Sequence, residues 1–281
     1  MINISNVTKR FGQTTAIDHF TLELADSDIY CLLGRNGAGK TTLMNLIAGK
    51  IAPSEGVVSI NGKKTDTLNM PKNVEYIETA KKQFNMGIID LIKLADGVND
   101  DFDMDFALKM VEKFKLDKKK KYNSLSFGMK TMVTTLISLA NNNDIVLLDE
   151  PVLGLDAIMR AQFYALLQES FTANERIIVV STHLIDEIAD VAGQVILIDK
   201  GKLIFNEDIN TISEKAYKIT GLRDDVEAAA KGLNIVQHES IGKYECLYVY
   251  DKRIPVFEGI DISNLALQEL FVKMIGGADN E

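Results

Sequence analysis

The segment from Gly34 to Thr42 reads GRNGAGKTT and has the residue types and spacing of a phosphate-binding loop. It fits the pattern G-x-x-x-x-G-K-[ST] between the apolar run IYCLL and the helix-like run LMNLIAGK. Glycines allow successive backbone N–H groups to close around phosphates at a helix N-terminus, Lys40 reaches the outer phosphates, and Thr41 offers its hydroxyl to Mg²⁺. The loop is therefore predicted to bind a nucleoside triphosphate through Gly34, Arg35, Asn36, Gly37, Ala38, Gly39, Lys40, Thr41 and Thr42.

Two adjacent carboxylates end the apolar run in DIVLLDEP. Successive residues of a strand point to opposite faces, so Asp149 and Glu150 are expected to have different functions. In P-loop enzymes an acid at this strand end holds the Mg²⁺ shell, which we assign to Asp149. Glu150 is placed to orient or deprotonate the attacking water as a general base. The alternative is an exposed acidic turn before Pro151, and the P-loop in the same chain favours the catalytic pair.

His183 follows a third apolar run in RIIVVSTH. A single histidine is usually structural, so the evidence for a functional role of His183 is its position in the chain. Ligands of open α/β sheets bind outside the carboxyl ends of the strands. Three such ends carry the loop at 34–41, the pair at 149–150 and His183, and we predict that they converge on one site.

The elements that must position these residues follow from the apolar pattern. Runs of the length expected for strands buried in a parallel sheet are IYCLL (29–33), DIVLL (144–148), RIIVV (176–180) and VILID (195–199). Residues 1–25 and 55–62, the latter ending in an Asn-Gly turn signal, predict a smaller antiparallel sheet. Residues 80 to about 140 have helical patterns and predict an inserted helical subdomain. The segment from 211 onward predicts a small β-α-β-β unit followed by an amphipathic helix.

Composition excludes several classes of protein. The chain has 281 residues, of which 46% are hydrophobic and 25% charged, as in ordinary globular proteins. Its apolar runs are shorter than the roughly 20 residues of a membrane span, and its start lacks the pattern of a secretory leader, so we expect it to act in the cytoplasm. A net charge of -9 disfavours binding to nucleic acid. Cys31 and Cys246 lack metal-ligand spacing and are predicted to be buried thiols.

The motifs GRNGAGKT, LSFGMK, IVLLDEP, GLD and STH, in this order, resemble the ATP-binding subunit of an ABC transporter over about residues 1–210. The resemblance implies an α/β fold, namely a P-loop NTPase cassette with a RecA-like parallel core, an antiparallel β subdomain and an inserted helical subdomain at about 80–140. It implies ATP and Mg²⁺ as cofactors. Residues 211–281 are then a small C-terminal α+β extension that stabilises a dimer or has a regulatory role.

In that family two cassettes close head to tail, and each ATP lies between one P-loop and the partner's LSGGQ segment. By motif position, Phe11 resembles the aromatic residue that stacks on adenine, and the segment from Ser126 to Met129, including Gly128, faces the partner's ATP. Asp156 resembles the acid at the dimer interface, and His183 the residue that contacts the γ-phosphate. The implied partners are a second cassette and a separate transmembrane permease, which places the chain on the inner face of the cell membrane.

The stretch SLSFGMK starts a predicted helix at Ser126, because apolar residues follow it at helical spacing. This start lacks the acid of a capping box three residues later, and Lys130 adds a positive charge where the helix dipole is already positive. We interpret Ser126, Gly128 and Lys130 as a site for a triphosphate held by another subunit, with Gly128 permitting close backbone approach. The alternative is an ordinary capped helix that binds no ligand.

Two departures from the family pattern affect the site. The glutamine expected at the junction into the helical subdomain is not evident, and Glu78, Thr79 or Gln83 stands near its place. LSGGQ is replaced by LSFGM, with Phe127 and Met129 in place of Gly and Gln. Because that segment serves the partner's nucleotide, we expect hydrolysis at this chain's own P-loop to be intact.

LSFGMK, together with STHLIDEIADVAGQVILIDKGKLIF and the closing LALQELF, resembles bacterial exporter cassettes associated with GntR-type regulators. That group includes exporters of antimicrobial or cytolytic peptides and of drugs. The expected function is therefore to power export through ATP-driven dimerisation. The alternative is a soluble ABC ATPase that acts as a scaffold or regulatory component without a channel.

Overall fold

The structure is a computed structural model that describes residues 1–78, 83–255 and 257–276. It contains two compact units. The first consists of Met1–His183 and Ile196–Phe205, and the second of Leu184–Val195 and the chain from Asn206 onward. The chain therefore passes between the units near residues 184, 196 and 206. The division of the chain into two domains at residue 210, made from the sequence, stays a prediction.

The strands, in chain order, are β1 (Ile2–Phe11), β2 (Thr14–Leu24), β3 (Asp28–Leu33), β4 (Glu55–Ile60), β5 (Lys63–Lys64), β6 (Val74–Glu78), β7 (Ile145–Asp149), β8 (Ile177–Ser181), β9 (Gln194–Asp199), β10 (Lys202–Asp208), β11 (Ala216–Leu222), β12 (Ile235–Ile241), β13 (Tyr244–Tyr250) and β14 (Ile260–Asn264). The helices are α1 (Lys40–Ile47), α2 (Ile88–Asp96), α3 (Met104–Lys113), α4 (Phe127–Ala140), α5 (Ala157–Ala173), α6 (Ile185–Ala189), α7 (Ile209–Lys215), α8 (Arg223–Ala229) and α9 (Leu267–Gly276). Among the residues described, no helix is long and apolar enough to cross a membrane.

A six-stranded sheet has the order β10-β9-β3-β8-β7-β6, and its strands β3, β8, β7 and β6 pair in parallel. All four predicted apolar runs are strands of this sheet. Strand β6 was not predicted, because VEYIE is short, carries two acidic residues and lies at the sheet edge, where it is only partly buried. The carboxyl ends of β3, β7 and β8 lead directly into the predicted functional residues, as parallel topology requires.

A smaller antiparallel sheet has the order β2-β1-β4-β5 and confirms the prediction for residues 1–25 and 55–62. Its β4–β5 connection is the Asn-Gly turn, in which Asn61 has φ 49° and Gly62 has φ 75°. Left-handed values at both central residues define the type I′ turn that matches strand twist. One hydrophobic core joins this sheet to α1 and the parallel sheet, with Ile4, Met44 and Leu147 all fully buried.

Helices α2, α3 and α4 lie between β6 and β7, so the described part of the predicted helical subdomain is helical. The side chain of Asp103 caps α3 by accepting a hydrogen bond of 2.8 Å from the Phe106 N–H. Helix α4 begins at Phe127, one residue after Ser126, where the sequence places the start.

The second unit contains an antiparallel sheet of order β12-β13-β11-β14. Its core joins Tyr217 and Ile219 of β11 to Val226 of α8 and Val249 of β13. The predicted β-α-β-β unit and closing helix are therefore present. Strand β14 and helix α7 were not predicted, since IDISN and INTISEK are short and carry several polar residues.

Replacing Gly56 by Ala should destabilise the first unit more than the same change at Gly62. Both glycines have left-handed φ, at 80° and 75°, so each alanine loses about 1–2 kcal/mol to backbone strain. A Cβ on Gly56 would also lie 2.3 Å from the carbonyl oxygen of Asn6, whereas none of the described atoms lies within 4 Å of one on Gly62. We expect Gly56→Ala to lose about 2–5 kcal/mol in urea unfolding. Equal losses at the two positions would contradict this packing.

Candidate nucleotide-binding site

The loop between β3 and α1 adopts the shape that its glycines allow. Gly37 has φ 82° and Gly39 has φ 109°, both left-handed. A Cβ on Gly34 would lie 2.5 Å from the Ile198 carbonyl oxygen, and one on Gly39 would lie 2.7 Å from that of Ala16. Glycine is therefore required at 34 and 39 by close backbone approach, and the loop is fixed between β2 and β9.

The start of α1 is prepared for an anion. The residue before this helix is Gly39, which has no side chain to cap it, and the described residues of its first turn include no acidic residue. The Leu43 N–H bonds to the carbonyl of Gly39, the residue before the helix, at 2.8 Å. The preceding N–H groups point out of the helix start, where the helix dipole is positive.

Lys40 is buried beneath this loop, with 7% of its side chain exposed. Its Nζ donates to the Gly34 carbonyl oxygen at 2.6 Å and to that of Arg35 at 3.4 Å. The same Nζ lies 3.8 Å from Oε1 of Glu150. The ammonium group is thus held by the loop itself and lies next to the second strand-end carboxylate.

Three hydroxyl groups hold the carboxylate of Asp149. Thr41 Oγ1 donates to Asp149 Oδ2 at 2.7 Å, and Ser181 Oγ donates to Oδ1 at 2.6 Å. The Tyr76 hydroxyl donates to Oδ2 at 3.3 Å. Donors from α1, β8 and β6 therefore fix the orientation of this carboxylate.

Sequence reasoning missed Ser181 and Tyr76. The parallel register places Ser181 directly opposite Asp149, a signal that the strand alignment of RIIVVS with IVLLD would have given. Tyr76 lies on the unpredicted strand β6. Burial and the nearby charge of Asp149 raise the pKa of the Tyr76 hydroxyl well above its usual range, so it remains a proton donor at neutral pH.

Glu150 has an unusual backbone and two charged or polar neighbours. Its φ is 47°, in the left-handed region, which is strained for a residue with a side chain. Its N–H bonds to Ser181 Oγ at 3.0 Å and to the Ser181 carbonyl at 3.2 Å. Its Oε2 lies 2.9 Å from Nδ1 of His183. The carboxylate therefore lies between Lys40 and His183, and the three predicted strand ends do converge.

A cavity of about 240 Å³ opens at this place. Its lining consists of Ala16, Arg35, Asn36, Gly37, Gly39, Lys40, Thr41, Thr42, Asp149 and Glu150. The P-loop and both carboxylates thus share one cavity, and His183 joins them through Glu150. The described residues contain no group of three or more His, Cys, Asp or Glu side chains that could hold a metal ion.

Other predicted site residues lie outside this lining. Phe11 ends β1 and is half exposed, with the Nζ of Lys9 5.0 Å from its ring centre. Glu78 forms an exposed ion pair of 2.9 Å with Lys50. Gln83 is exposed, and Thr79 lies outside the described residues. The replacement for the missing glutamine is therefore not assigned.

Ser126 and Asp156 both cap helices. Ser126 Oγ accepts from the Met129 N–H at 3.3 Å at the start of α4, and Asp156 Oδ1 accepts from the Met159 N–H at 2.9 Å at the start of α5. The ammonium of Lys130 lies 5.9 Å from the Tyr122 ring centre. The helix start predicted at Ser126 is confirmed, and its role toward a partner's nucleotide stays a prediction.

Gly128 is buried against residues of its own chain. A Cβ here would lie 2.6 Å from the Met159 sulfur and 3.0 Å from Cδ2 of Leu155, both in the same chain. The absence of a side chain at Gly128 thus lets α4 pack against the start of α5. This internal packing requires glycine at 128, and the role of Gly128 toward a partner's ATP stays a prediction.

Strand, glycine loop, helix start, buried lysine and strand-end carboxylates together define an α/β nucleotide-binding protein of the P-loop class. The family model of the ABC transporter matches residues 17–153. An uncharacterised ABC transporter ATP-binding protein of Methanocaldococcus jannaschii is 31% identical over 225 residues, which is 76% of this chain and 80% of that protein. The chain belongs to the ATP-binding cassettes of the ABC transporter family, which bind and hydrolyse ATP.

Two further comparisons cover different lengths of the chain. A bacitracin transport ATP-binding protein of Enterococcus faecalis is 29% identical over 300 residues, covering 99% of this chain and 97% of that protein. A solved dimer of an ATP-binding cassette in a post-hydrolysis state, bound to ADP and Pi, aligns with TM-score 0.63 and 22% identity over 74% of this chain and 99% of that chain. The predicted fold class and family are confirmed.

Replacing Ser181 by Ala should destabilise the nucleotide-free protein more than replacing Tyr76 by Phe. Ser181 is fully buried and its hydroxyl bonds to both Asp149 and the Glu150 N–H, so its loss removes one hydrogen bond from the charged carboxylate and one from the Glu150 N–H. We expect a loss of about 1.5–3 kcal/mol for Ser181→Ala, and about 1 kcal/mol or less for Tyr76→Phe, whose bond is longer. Chemical denaturation measures both, and the opposite order would contradict the assigned network.

Proposed function

We propose that this ATPase powers the export of antimicrobial peptides through a separate membrane permease. The observation that carries the proposal is the similarity to a bacitracin transport ATP-binding protein over 99% of this chain. That similarity includes the second unit, which lies entirely beyond the residues matched by the family model. A scaffold or regulatory ATPase without a channel has no comparable support.

In the proposed mechanism the P-loop binds the phosphates of ATP. Backbone N–H groups at the start of α1 face the phosphates, and Lys40 exchanges its bond with the Gly34 carbonyl for a phosphate oxygen. Phe11 stacks on the adenine ring. A Mg²⁺ ion held with ATP would supply positive charge that stabilises the phosphates. The hydroxyl of Thr41 and the carboxylate of Asp149, 2.7 Å apart, are the oxygen donors that Mg²⁺ prefers, so they fit this ion.

Glu150 is the proposed general base. Its carboxylate accepts the proton of the attacking water, and its position beside Lys40 keeps it near the outer phosphate. His183 shares a 2.9 Å contact with Glu150 and is proposed to bind the γ-phosphate. The left-handed backbone of Glu150 is consistent with this role, since strained residues cluster at active sites.

The proposed active form is a head-to-tail dimer with a second cassette, another copy or a related chain. Ser126 and Gly128 would face the ATP of the partner, and Asp156 would lie at the interface. The solved cassette that is dimeric with ADP and Pi bound supports a dimer for this fold. The permease would place the chain on the inner face of the cell membrane.

Glu150→Gln and Lys40→Ala should separate hydrolysis from binding. Glu150→Gln keeps the shape of the side chain and removes the base, so turnover should fall at least about 100-fold while ATP binding persists and dimers accumulate. Lys40→Ala removes the buried ammonium and should abolish ATP binding, whereas exposed Lys63→Ala should not. Calorimetry, size-exclusion chromatography with ATP and phosphate release are the measurements. Unchanged turnover in Glu150→Gln would falsify the base assignment.

The export proposal predicts a complex with a polytopic membrane protein, whose gene we expect beside the gene of this chain. Co-expression of the two should yield a complex in detergent and raise the tolerance of a sensitive host to bacitracin several-fold. The Glu150→Gln variant should retain the complex and lose the protection. A chain that hydrolyses ATP but binds no membrane protein would support the scaffold alternative instead.

A further inference from the structure

Phe127, the first residue of α4, packs against the loop that follows Glu150. A Cβ built on Gly154 would meet Cε1 of Phe127 at 3.3 Å and Cδ1 at 3.5 Å, so the ring lies against this glycine. The Phe127 side chain is nevertheless 44% exposed. The Phe127 ring therefore packs on the solvent-facing side of this loop.

The loop from Glu150 to Asp156 consists of consecutive turns. The Leu153 N–H bonds to the Glu150 carbonyl at 3.2 Å, and the Leu155 N–H bonds to the Val152 carbonyl at 3.1 Å. At the far end, Asp156 caps α5 and fixes the loop to that helix. Gly154 lies between these turns with φ 78°. Gly154 is only four residues after Glu150 in the chain. A shift of Gly154 therefore displaces backbone close to Glu150.

The conformation of Glu150 depends on its neighbours. Its left-handed φ of 47° costs free energy, so surrounding contacts must hold it in place. Ser181 holds the N–H of Glu150, while the loop holds its carbonyl through Leu153. Phe127 is the aromatic side chain in contact with that loop at Gly154.

We propose that Phe127 is a positioning residue for Glu150, acting through its contact with Gly154. The inference rests on the proposed role of Glu150 as the base. It gives a function to the aromatic residue that replaces the first Gly of LSGGQ. Because Phe127 is not among the described residues that line the cavity at the P-loop, its removal should change the rate of hydrolysis and leave ATP binding to this chain's own loop unchanged.

The test uses the full chain and its steady-state ATPase kinetics. Phe127→Ala should lower kcat about tenfold and leave KM for ATP within twofold, and Phe127→Leu should restore most of the rate by refilling the space beside Gly154. Ile158→Ala is the matched control, since Ile158 is an apolar side chain at the start of α5 that is 74% exposed. That variant should match the wild type.

Three results would overturn the proposal. An unchanged kcat in Phe127→Ala would show that the contact does not position Glu150. A raised KM with unchanged kcat would assign the ring to direct contact with a partner's nucleotide. A drop in kcat that matches the loss of folded protein, measured by thermal unfolding at the assay temperature, would assign it to stability alone.

The kinetics of the wild type and of Glu150→Gln distinguish this proposal from the proposed function. If the wild type hydrolyses ATP, Glu150→Gln does not, and Phe127→Ala equals the wild type, only the positioning role fails. If Glu150→Gln hydrolyses ATP normally, the base assignment fails first, and the positioning role fails with it.

Discussion

The carboxylate of Asp149 is the point on which the site depends. Its oxygens accept hydrogen bonds from Thr41 of α1, Ser181 of β8 and Tyr76 of β6, so one side chain joins the phosphate loop to three strands of the parallel sheet. A partly buried carboxylate is stabilised by the hydrogen bonds that it accepts, and these three donors stabilise the charge of Asp149. The position of the P-loop relative to Glu150 follows from the same contacts. The sheet thereby positions the catalytic residues through hydrogen bonds as well as through its backbone.

The parts of the site that could be predicted are those with local signals. The P-loop is a continuous motif, and the central strands are uninterrupted apolar runs, so both are readable without knowing the fold. Ser181 has no local signal, since its function arises from its parallel register with Asp149. Tyr76 lies opposite Leu147, two residues before Asp149, on a strand that was not predicted. Gly128 has a second constraint that its sequence context does not reveal, because Met159 of the same chain leaves no room for a Cβ there. Register and packing are long-range properties, and a single sequence encodes them only indirectly.

Capping and nucleotide contact are compatible roles at the start of α4. The Ser126 oxygen accepts from the Met129 N–H, which satisfies one of the free groups of the helix. A hydroxyl also has a proton to donate, and that proton remains available for a phosphate oxygen. Asp156 differs, because an ionised carboxylate only accepts, so its cap at the start of α5 leaves it suited to a donor and unsuited to a phosphate. Ser126 can therefore both cap α4 and donate a hydrogen bond to a nucleotide phosphate. Asp156 can cap α5 and accept a hydrogen bond from a donor group, but it does not suit a phosphate.

Pro151 adds a reason why the conformation of Glu150 is held by contacts outside its own strand. A residue before proline is disfavoured in the right-handed helical region, because the proline ring collides with its backbone N–H and Cβ. Glu150 therefore has two main choices, the extended region and the strained left-handed region it occupies at φ 47°. Extended backbone would continue β7 and carry the Glu150 side chain away from its bond with His183. The left-handed turn brings the carboxylate next to Lys40 and His183, and its free-energy cost is offset by the hydrogen bonds to Ser181 and by the turns of the following loop.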